Sequence, residues 1–363
     1  LNLSEYFREY ALELVNQTPV AANVRVSVDE RSGMKYGVLT AKATFLIRTD
    51  GTAEIDSQNP FPLFDKDQET ELGILPSDLH PRKDPVFEVI LLGAAYATDK
   101  TEISHRLVEL AVGNVRRQIR VSGDRYWDGT ERISPPRPFT RMPMTYAYAF
   151  GGSCEAAFDD HTVLDVEDRM NRYGRGFDAV KAARDLAACF QAPEGFPKIT
   201  GTRMLPNLEN PENLISKFTD APEPYSWATV PPDIGFAMIE AMKVFQNTGA
   251  PPELEEARNM IAHRAHPDWV IDLPPPDSLV SMTGMRPDME VLAFRLPSLR
   301  IVADYVVGNR TGERELVPQL LVLLPEEARF YLVYRAAFTL QVTPEMERSF
   351  RLRLDNGWYV PNS

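Results

Sequence analysis

Cysteine is nearly missing from this 363-residue chain, which has only Cys154 and Cys189. Two thiols make no disulfide framework, so packing and polar bonds must hold the core, as in a protein kept in a reducing cytoplasm. No apolar run approaches the length of a membrane span. No secretory leader is legible either, because residues 1–19 carry Glu5, Arg8, Glu9 and Glu13 and no uninterrupted apolar stretch. Positive charge is in deficit: 39 Lys and Arg stand against 52 Asp and Glu, a net −13. That balance argues against a protein that grips nucleic acid, which needs a basic face. It suits a basic protein partner drawn in by long-range steering. Also missing are the metalloprotease H-E-x-x-H, the nucleophile elbow G-x-S-x-G, a Walker loop and any fixed-period repeat.

Proline is what the chain has in excess, with 30 residues, and it predicts many loops and short strands. The densest stretch is Pro135 to Gly152, PPRPFTRMPMTYAYAFGG. Pro135, Pro136, Pro138 and Pro143 fix φ and remove donors, so this backbone must be extended or turning. Phe139, Met142, Met144, Tyr146, Tyr148 and Phe150 bring large apolar surface that water would penalise. Gly151 and Gly152 permit a sharp change of direction. Arg141 is the one cation in the latter part of this run, and there it needs carboxylate, carbonyl or aromatic partners. The reading is an extended segment clamped between layers.

Taken in order, a helix is expected from Ser4, with Phe7, Tyr10, Ala11 and Leu14 on one face. Ala22, Val24, Val26 and Val28 alternate as a strand, Tyr36 to Arg48 forms a second, and Asp50-Gly51 signals a hairpin into Thr52–Ile55. Asp56 to Asp84 reads as a long surface loop, Val86 to Ala97 as one buried strand, and Arg106–Val112 with Val115–Val121 as a hairpin around Gly113-Asn114. Helices are predicted over Phe177–Phe190, Asp233–Phe245 and Pro252–Ala265, the last with Pro252 in its first turn. Strands return at Val291–Arg295, Leu299–Val307, Leu316–Leu324 and Phe330–Val342. The near-continuous apolar runs of the last two predict a hairpin covered on both faces. The whole is α+β and β-dominated. An antiparallel sandwich-like scaffold is built from the N-terminal (1–152) and C-terminal (276–363) regions, around a helix- and loop-rich middle insertion (153–275).

Candidate chemistry is thin. Gly174 to Ala179 fits G-x-G-x-x-A, but residues 163–173 lack the buried strand a dinucleotide site needs, so a turn before a helix is the better reading. His263 and His266, near Asp268, lack a third metal ligand and read as a solvated helix end. Nothing positions Cys154 with His161 as a thiol–imidazole pair. Asp78, Asp124, Asp159 and Asp160 offer carboxylates of the kind any acidic chain offers. Trp127, Tyr146, Tyr148 and Trp358 are the aromatic anchors that suit either a core or a partner surface. Arg125 and Arg141 read as ion-paired loop ties or partner contacts. No catalytic residue, metal ligand or cofactor is assigned.

Several motifs together resemble a known family. Lys42–Phe45 (KATF), Pro76–Pro81 (PSDLHP), Gly93–Ala97 (GAAYA), Ser122–Trp127 (SGDRYW), Pro138–Gly152 and Leu205–Pro211 (LPNLENP) stand in the order of the bacterial domain of unknown function DUF2169. His266–Asp268, Leu296–Arg300 and Leu332–Arg335 (LVYR) resemble its later motifs, so the likeness runs from about Val20 to Leu340. The family resembles effector adaptors of the type VI secretion system. The resemblance implies a non-catalytic cytoplasmic chaperone that binds a toxin effector and helps load it onto the spike (VgrG-type) protein, with no nucleic acid, membrane or cofactor. The alternatives are a hydrolase using carboxylates and histidines of the middle region, or a structural part of the secretion apparatus. Arg125, Trp127, Phe139, Arg141, Tyr146, Phe150, Gly151, Gly152 and Asn207 are its candidate structural or partner-binding residues. The chain departs from the family where Asn171 to Gly176 replaces an Asn-Pro-x-Gly-x-Gly stretch and where the Phe177–Phe190 helix is inserted.

Overall fold

The computed structural model describes residues 12–28, 34–78, 86–97, 101–157, 163–190, 203–231, 244, 247–250, 264–340 and 348–355. About half of the structure is strand and little is helix. The largest sheet has seven strands. Its order is Val270–Ile271, Phe87–Leu91, Val317–Leu324, Arg329–Leu340, Lys35–Ile47 and Ala21–Val28, with Ala53–Ile55 added on Lys35–Ile47. Strands from near both ends of the chain therefore lie side by side.

In the two central strands the side chains alternate between two covered faces. Leu39, Ala41, Ala43 and Phe45 share one face with Phe330, Leu332 and Tyr334, all buried. The opposite face carries Thr40, Lys42, Thr44, Tyr331 and Arg335, buried as well. The apolar face meets a five-stranded sheet ordered Leu208–Glu209, Val115–Ser122, His105–Val112, Leu279–Thr283 and Val291–Arg295. Phe294 of that sheet stacks on Phe330 at 4.3 Å, and Phe330 stacks on Phe45 at 4.9 Å. Each side chain so buried contributes about 1.5–3 kcal/mol. A four-stranded sheet of Glu13–Asn16, Arg348–Leu354, Ile301–Val307 and Arg310–Glu315 joins the same core through Leu14, Ile301, Ala303, Phe350 and Leu352.

The hairpin at Gly113-Asn114 forms in the expected register, with Val112 opposite Val115 and Gly113 at φ 60°. Gly51 and Gly308 also turn at positive φ. The helix expected over Phe177–Phe190 runs Ala179–Phe190.

Four expectations need correction. The five-stranded sheet is antiparallel as expected, but the other two are mixed: Phe87–Leu91 runs parallel to Val317–Leu324, and Glu13–Asn16 parallel to Arg348–Leu354. Leu14, assigned to the face of an opening helix, lies in a strand opposite Phe350. Pairing with a distant strand takes this residue out of the expected helix; the rest of that helix falls outside the described residues. Val86–Ala97 is two strands, Phe87–Leu91 and Ala94–Tyr96, because after Gly93 the chain leaves the large sheet to pair with Arg141–Pro143. Finally, Asp56–Asp78 is no free surface loop. It contains the hairpin Gln68–Thr70 with Gly73–Leu75, and both Asp56 and Asp78 are buried.

The middle region also carries strands. Ser153–Ala157 pairs with Val163–Glu167, and Leu208–Glu209 and Val270–Ile271 form edges of the two larger sheets. The helices predicted over Asp233–Phe245 and Pro252–Ala265 lie almost wholly outside the described residues; Arg264 and Ala265 are not helical.

Candidate functional site

Two sets of family motifs converge on two buried charge clusters, linked by the proline-rich stretch. That stretch is extended and clamped as far as Pro143 and then makes a single 3-10 turn at Tyr146–Tyr148. Phe139 exchanges both backbone bonds with Ile103, Arg141–Pro143 pairs with Ala94–Tyr96, and Met144 N–H donates to the Gly93 carbonyl at 3.0 Å. Phe139 and Phe150 are buried. Arg141 is at the surface end, where Nη1 reaches Glu71 Oε1 at 2.5 Å, Nε donates to the Tyr96 hydroxyl at 3.0 Å, and Nη2 meets Glu326 Oε1 at 3.2 Å. Tyr146 is buried and donates to the Ser226 carbonyl at 3.2 Å. Burial, with Asp268 second, pushes its phenol well above the ordinary range.

The stretch ends on a glycine pair that nothing else fits. Gly151 and Gly152 have φ of 137° and 135°. A Cβ on Gly151 would lie 2.1 Å from the Asn171 carbonyl oxygen, and one on Gly152 2.8 Å from the Phe177 ring. Asn171, fully buried, donates its amide to the carbonyls of Tyr146 and Phe150. Phe150–Gly151 then pairs in parallel with Arg175–Gly176.

The first cluster joins this end to two other motifs. Arg125 Nη2 donates to Glu209 Oε2 at 2.6 Å and to the Pro206 carbonyl at 2.9 Å, all three shielded from water. Glu209 Oε1 accepts from Ile215 N–H. Asn207, fully buried, donates to the Ser122 carbonyl at 2.9 Å and to Asp124 Oδ1 at 3.0 Å. Its own carbonyl oxygen accepts from Arg175 Nη1 at 3.0 Å, and the Arg175 guanidinium lies 4.3 Å above the Tyr148 ring. Trp127 packs beside this network against Phe218, Phe150 and Leu205. Arg125, Trp127, Asn207, Phe150 and the glycine pair are thus brought together, whereas Arg141 and Phe139 lie at the other end of the stretch. Asn171 and Arg175 were missed as site residues. The one available signal was that both fall in a stretch matching the family only loosely.

The second cluster lies on the polar face of the large sheet and unites KATF, PSDLHP and LVYR. The Lys42 ammonium is wholly buried. It sits 2.5 Å from Asp78 Oδ2 and 2.9 Å from the Pro62 carbonyl, with the Phe64 and Tyr331 rings at 3.8 and 4.6 Å. The same Asp78 oxygen accepts from Phe64 N–H at 2.6 Å. Arg335 reaches Gln319 Oε1 at 3.4 Å and the Asp78 carbonyl at 3.3 Å. Burial lowers Lys42 to about 8, with Asp78 opposing and Arg335 assisting the fall. Burial likewise lowers Arg335 to about 10 and raises the Tyr331 phenol. Sequence reading noted Asp78 as a generic carboxylate and missed Lys42 and Arg335 as chemistry, because they are charges in otherwise buried strands.

His266 is not at a solvated helix end. It is buried, stacks edge-on with Tyr225 at 5.0 Å and caps the turn Pro267–Trp269 by accepting from Asp268 N–H. His161, His263, Asp159, Asp160 and Trp358 lie outside the described residues. Among the described residues no group of three His, Cys, Asp or Glu side chains has metal-site geometry. No helix there is long and apolar enough to cross a membrane.

A family model described as "Uncharacterized protein conserved in bacteria (DUF2169)" matches residues 32–335. Neither a curated protein nor a solved structure matches the chain.

Proposed function

The chain belongs to the DUF2169 family, and from that premise we propose that it is a non-catalytic cytoplasmic adaptor, or chaperone, that binds a type VI secretion toxin effector and helps load it onto the spike (VgrG-type) protein. The observation that carries this reading is where the motif residues go. Lys42, Asp78 and Arg335 tie sheet to covering segment, while Arg125, Asn207 and Glu209 tie the Ser122–Arg125 segment to the Pro206–Glu209 segment. Their charged groups are buried and bonded chiefly to one another and to the main chain, so they define a scaffold, and recognition falls to the surface that scaffold presents.

In this reading the seven- and five-stranded sheets form the sandwich-like body. The outward face of the five-stranded sheet is the partner surface. Register puts Leu107, Leu279 and Val291 on that face, about half exposed, among Arg116, Arg120 and Arg295. Apolar side chains ringed by arginine are the composition of protein interfaces.

Co-expression with the product of the neighbouring toxin gene tests the proposal. A stable complex is expected, and deletion of the adaptor gene should abolish secretion of that toxin alone. Replacing Leu107 and Val291 together by Asp should weaken the complex at least tenfold with the fold retained. If no toxin co-purifies and secretion survives the deletion, the adaptor reading is wrong.

A further inference from the structure

Residues 56–78 lie across the polar face of the large sheet as a strap, and one cation, Lys42, holds its middle and its end. Phe61 N–H donates to Thr44 Oγ1, and the Phe61 ring leans on Tyr331 at 5.4 Å. Near the strap's start, Asp56 pairs with Arg329 at 3.0 Å. Lys42 then grips the Pro62 carbonyl and the Asp78 carboxylate, while that carboxylate grips Phe64 N–H. A single ammonium thus closes the loop that runs from Pro62 to Asp78. The cluster is incompletely satisfied. Asp78 Oδ1, Arg335 Nε and Tyr331 Oη have no hydrogen-bond partner among the described residues, and a partly satisfied buried network is a weak point in a fold.

We propose that this strap is a proton-linked latch, which opens as a unit from the sheet and whose closed state is disfavoured by the charge on Lys42. The charged groups around it set the direction. Asp78 faces Lys42 from the strap, and Arg335 and Tyr331 from the adjacent strand. Glu88 shares its row two strands further on, where it accepts from Arg264 N–H, and Arg264 in turn pairs with Asp67 of the strap. The Asp78 carboxylate pairs with Lys42, while Arg335, on the Asp78 main-chain carbonyl, brings a second positive charge beside them. With the strap open, Lys42 returns to water and its ordinary 10.5; closed, it is held at about 8. Between these values the open state binds more protons than the closed one, so closure strengthens as pH rises. Arg335 acts in the same sense near pH 10, and the buried Tyr331 opposes only above that. A simple ion-pair clasp would do the reverse, loosening as its lysine loses charge.

Hydrogen exchange of the full chain between pH 7 and 10, corrected for intrinsic rates, separates the two. In the latch, the opening equilibrium for residues 56–78 is flat below pH 8 and then falls close to tenfold per pH unit. Lys42→Met should abolish that slope. Should that variant not fold, acylation of Lys42 in the unmodified protein, relative to exposed Lys66, gives the same answer: the ratio is small and falls further above pH 8. An opening equilibrium that stays flat or rises with pH, or equal acylation of the two lysines, overturns the proposal.

Discussion

Lys42–Asp78 and Arg125–Glu209 are both carboxylate–cation pairs shut away from water, at 2.5 and 2.6 Å. Their surroundings differ. Near Arg125 the charges alternate: Arg125 with Glu209, and Arg175 with Asp124 at 3.5 Å. Both Glu209 oxygens are bonded, one to Arg125 and one to Ile215 N–H. Near Lys42, a second cation, Arg335, stands on the Asp78 main-chain carbonyl, and one oxygen of the Asp78 carboxylate has no partner among the described residues; a guanidinium Nε is left without one in each cluster, on Arg125 and on Arg335. Burial of a charge is expensive unless it is paired and hydrogen-bonded. The first cluster is therefore a tie that fixes three chain segments, and the second is a fastening held against a standing penalty.

Single substitutions break the comparison most sharply. Asp78→Asn leaves Lys42 and Arg335 facing each other without a counter-charge, and urea unfolding should show a loss of about 3–5 kcal/mol. Lys42→Met removes one of two neighbouring cations and leaves the Asp78 carboxylate with the Phe64 N–H and the field of Arg335, so its loss should be smaller, on the order of 1 kcal/mol. At the other cluster the asymmetry disappears: Arg125→Met and Glu209→Gln should cost about the same, again about 3–5 kcal/mol each. If Lys42→Met proves as damaging as Asp78→Asn, the two clusters are equivalent and the idea of a penalised latch fails with the distinction.

The next effect belongs to the joint between these regions. Gly151→Ala places a methyl group 2.1 Å from the Asn171 oxygen at a backbone angle that only glycine adopts readily. Strain and overpacking together should amount to about 3 kcal/mol. The loss should be visible as a lower urea midpoint, and exchange protection should fall around Tyr146–Gly152 before it falls around Lys42. Equal loss of protection at both places would mean that the clusters unfold as one unit.

Much of this was legible beforehand, and the failures have physical causes. Local signals carried the hairpin at Gly113, the turn at Asp50-Gly51 and the extended course of the proline-rich stretch as far as Pro143, though not its 3-10 turn at Tyr146–Tyr148, because turn chemistry and fixed φ act over a few residues. Long-range pairing was not legible. Leu14 had a helical neighbourhood in sequence and a strand partner, Phe350, more than three hundred residues away. The strap was read as surface because its prolines and acids look solvated, while Asp78, the residue that buries it, finds its counter-charge on a strand read only for its apolar pattern. Motif order located the residues of both clusters without revealing that they were clusters. Lys42, Asp78 and Arg335 belong to three separate motifs that meet only in the folded sheet.

Arg141 should give the smallest effect, and the one that bears most on function. The sequence leaves it as an ion-paired loop tie or a partner contact; its side chain is 30% exposed, and Glu71 across from it is largely exposed. An ion pair so placed contributes about 0–1 kcal/mol to stability, even with Tyr96 and Glu326 as further partners. Arg141→Ala should therefore leave the urea midpoint almost unchanged and the exchange pattern of both clusters intact. Its effect on toxin binding then separates two roles. Unchanged affinity would make the proline-rich stretch a joint and leave the five-stranded sheet as the docking face. A tenfold or greater loss of affinity with stability preserved would move the docking face to the surface shared by Arg141, Glu71 and Glu326, beside the strap that Lys42 holds down.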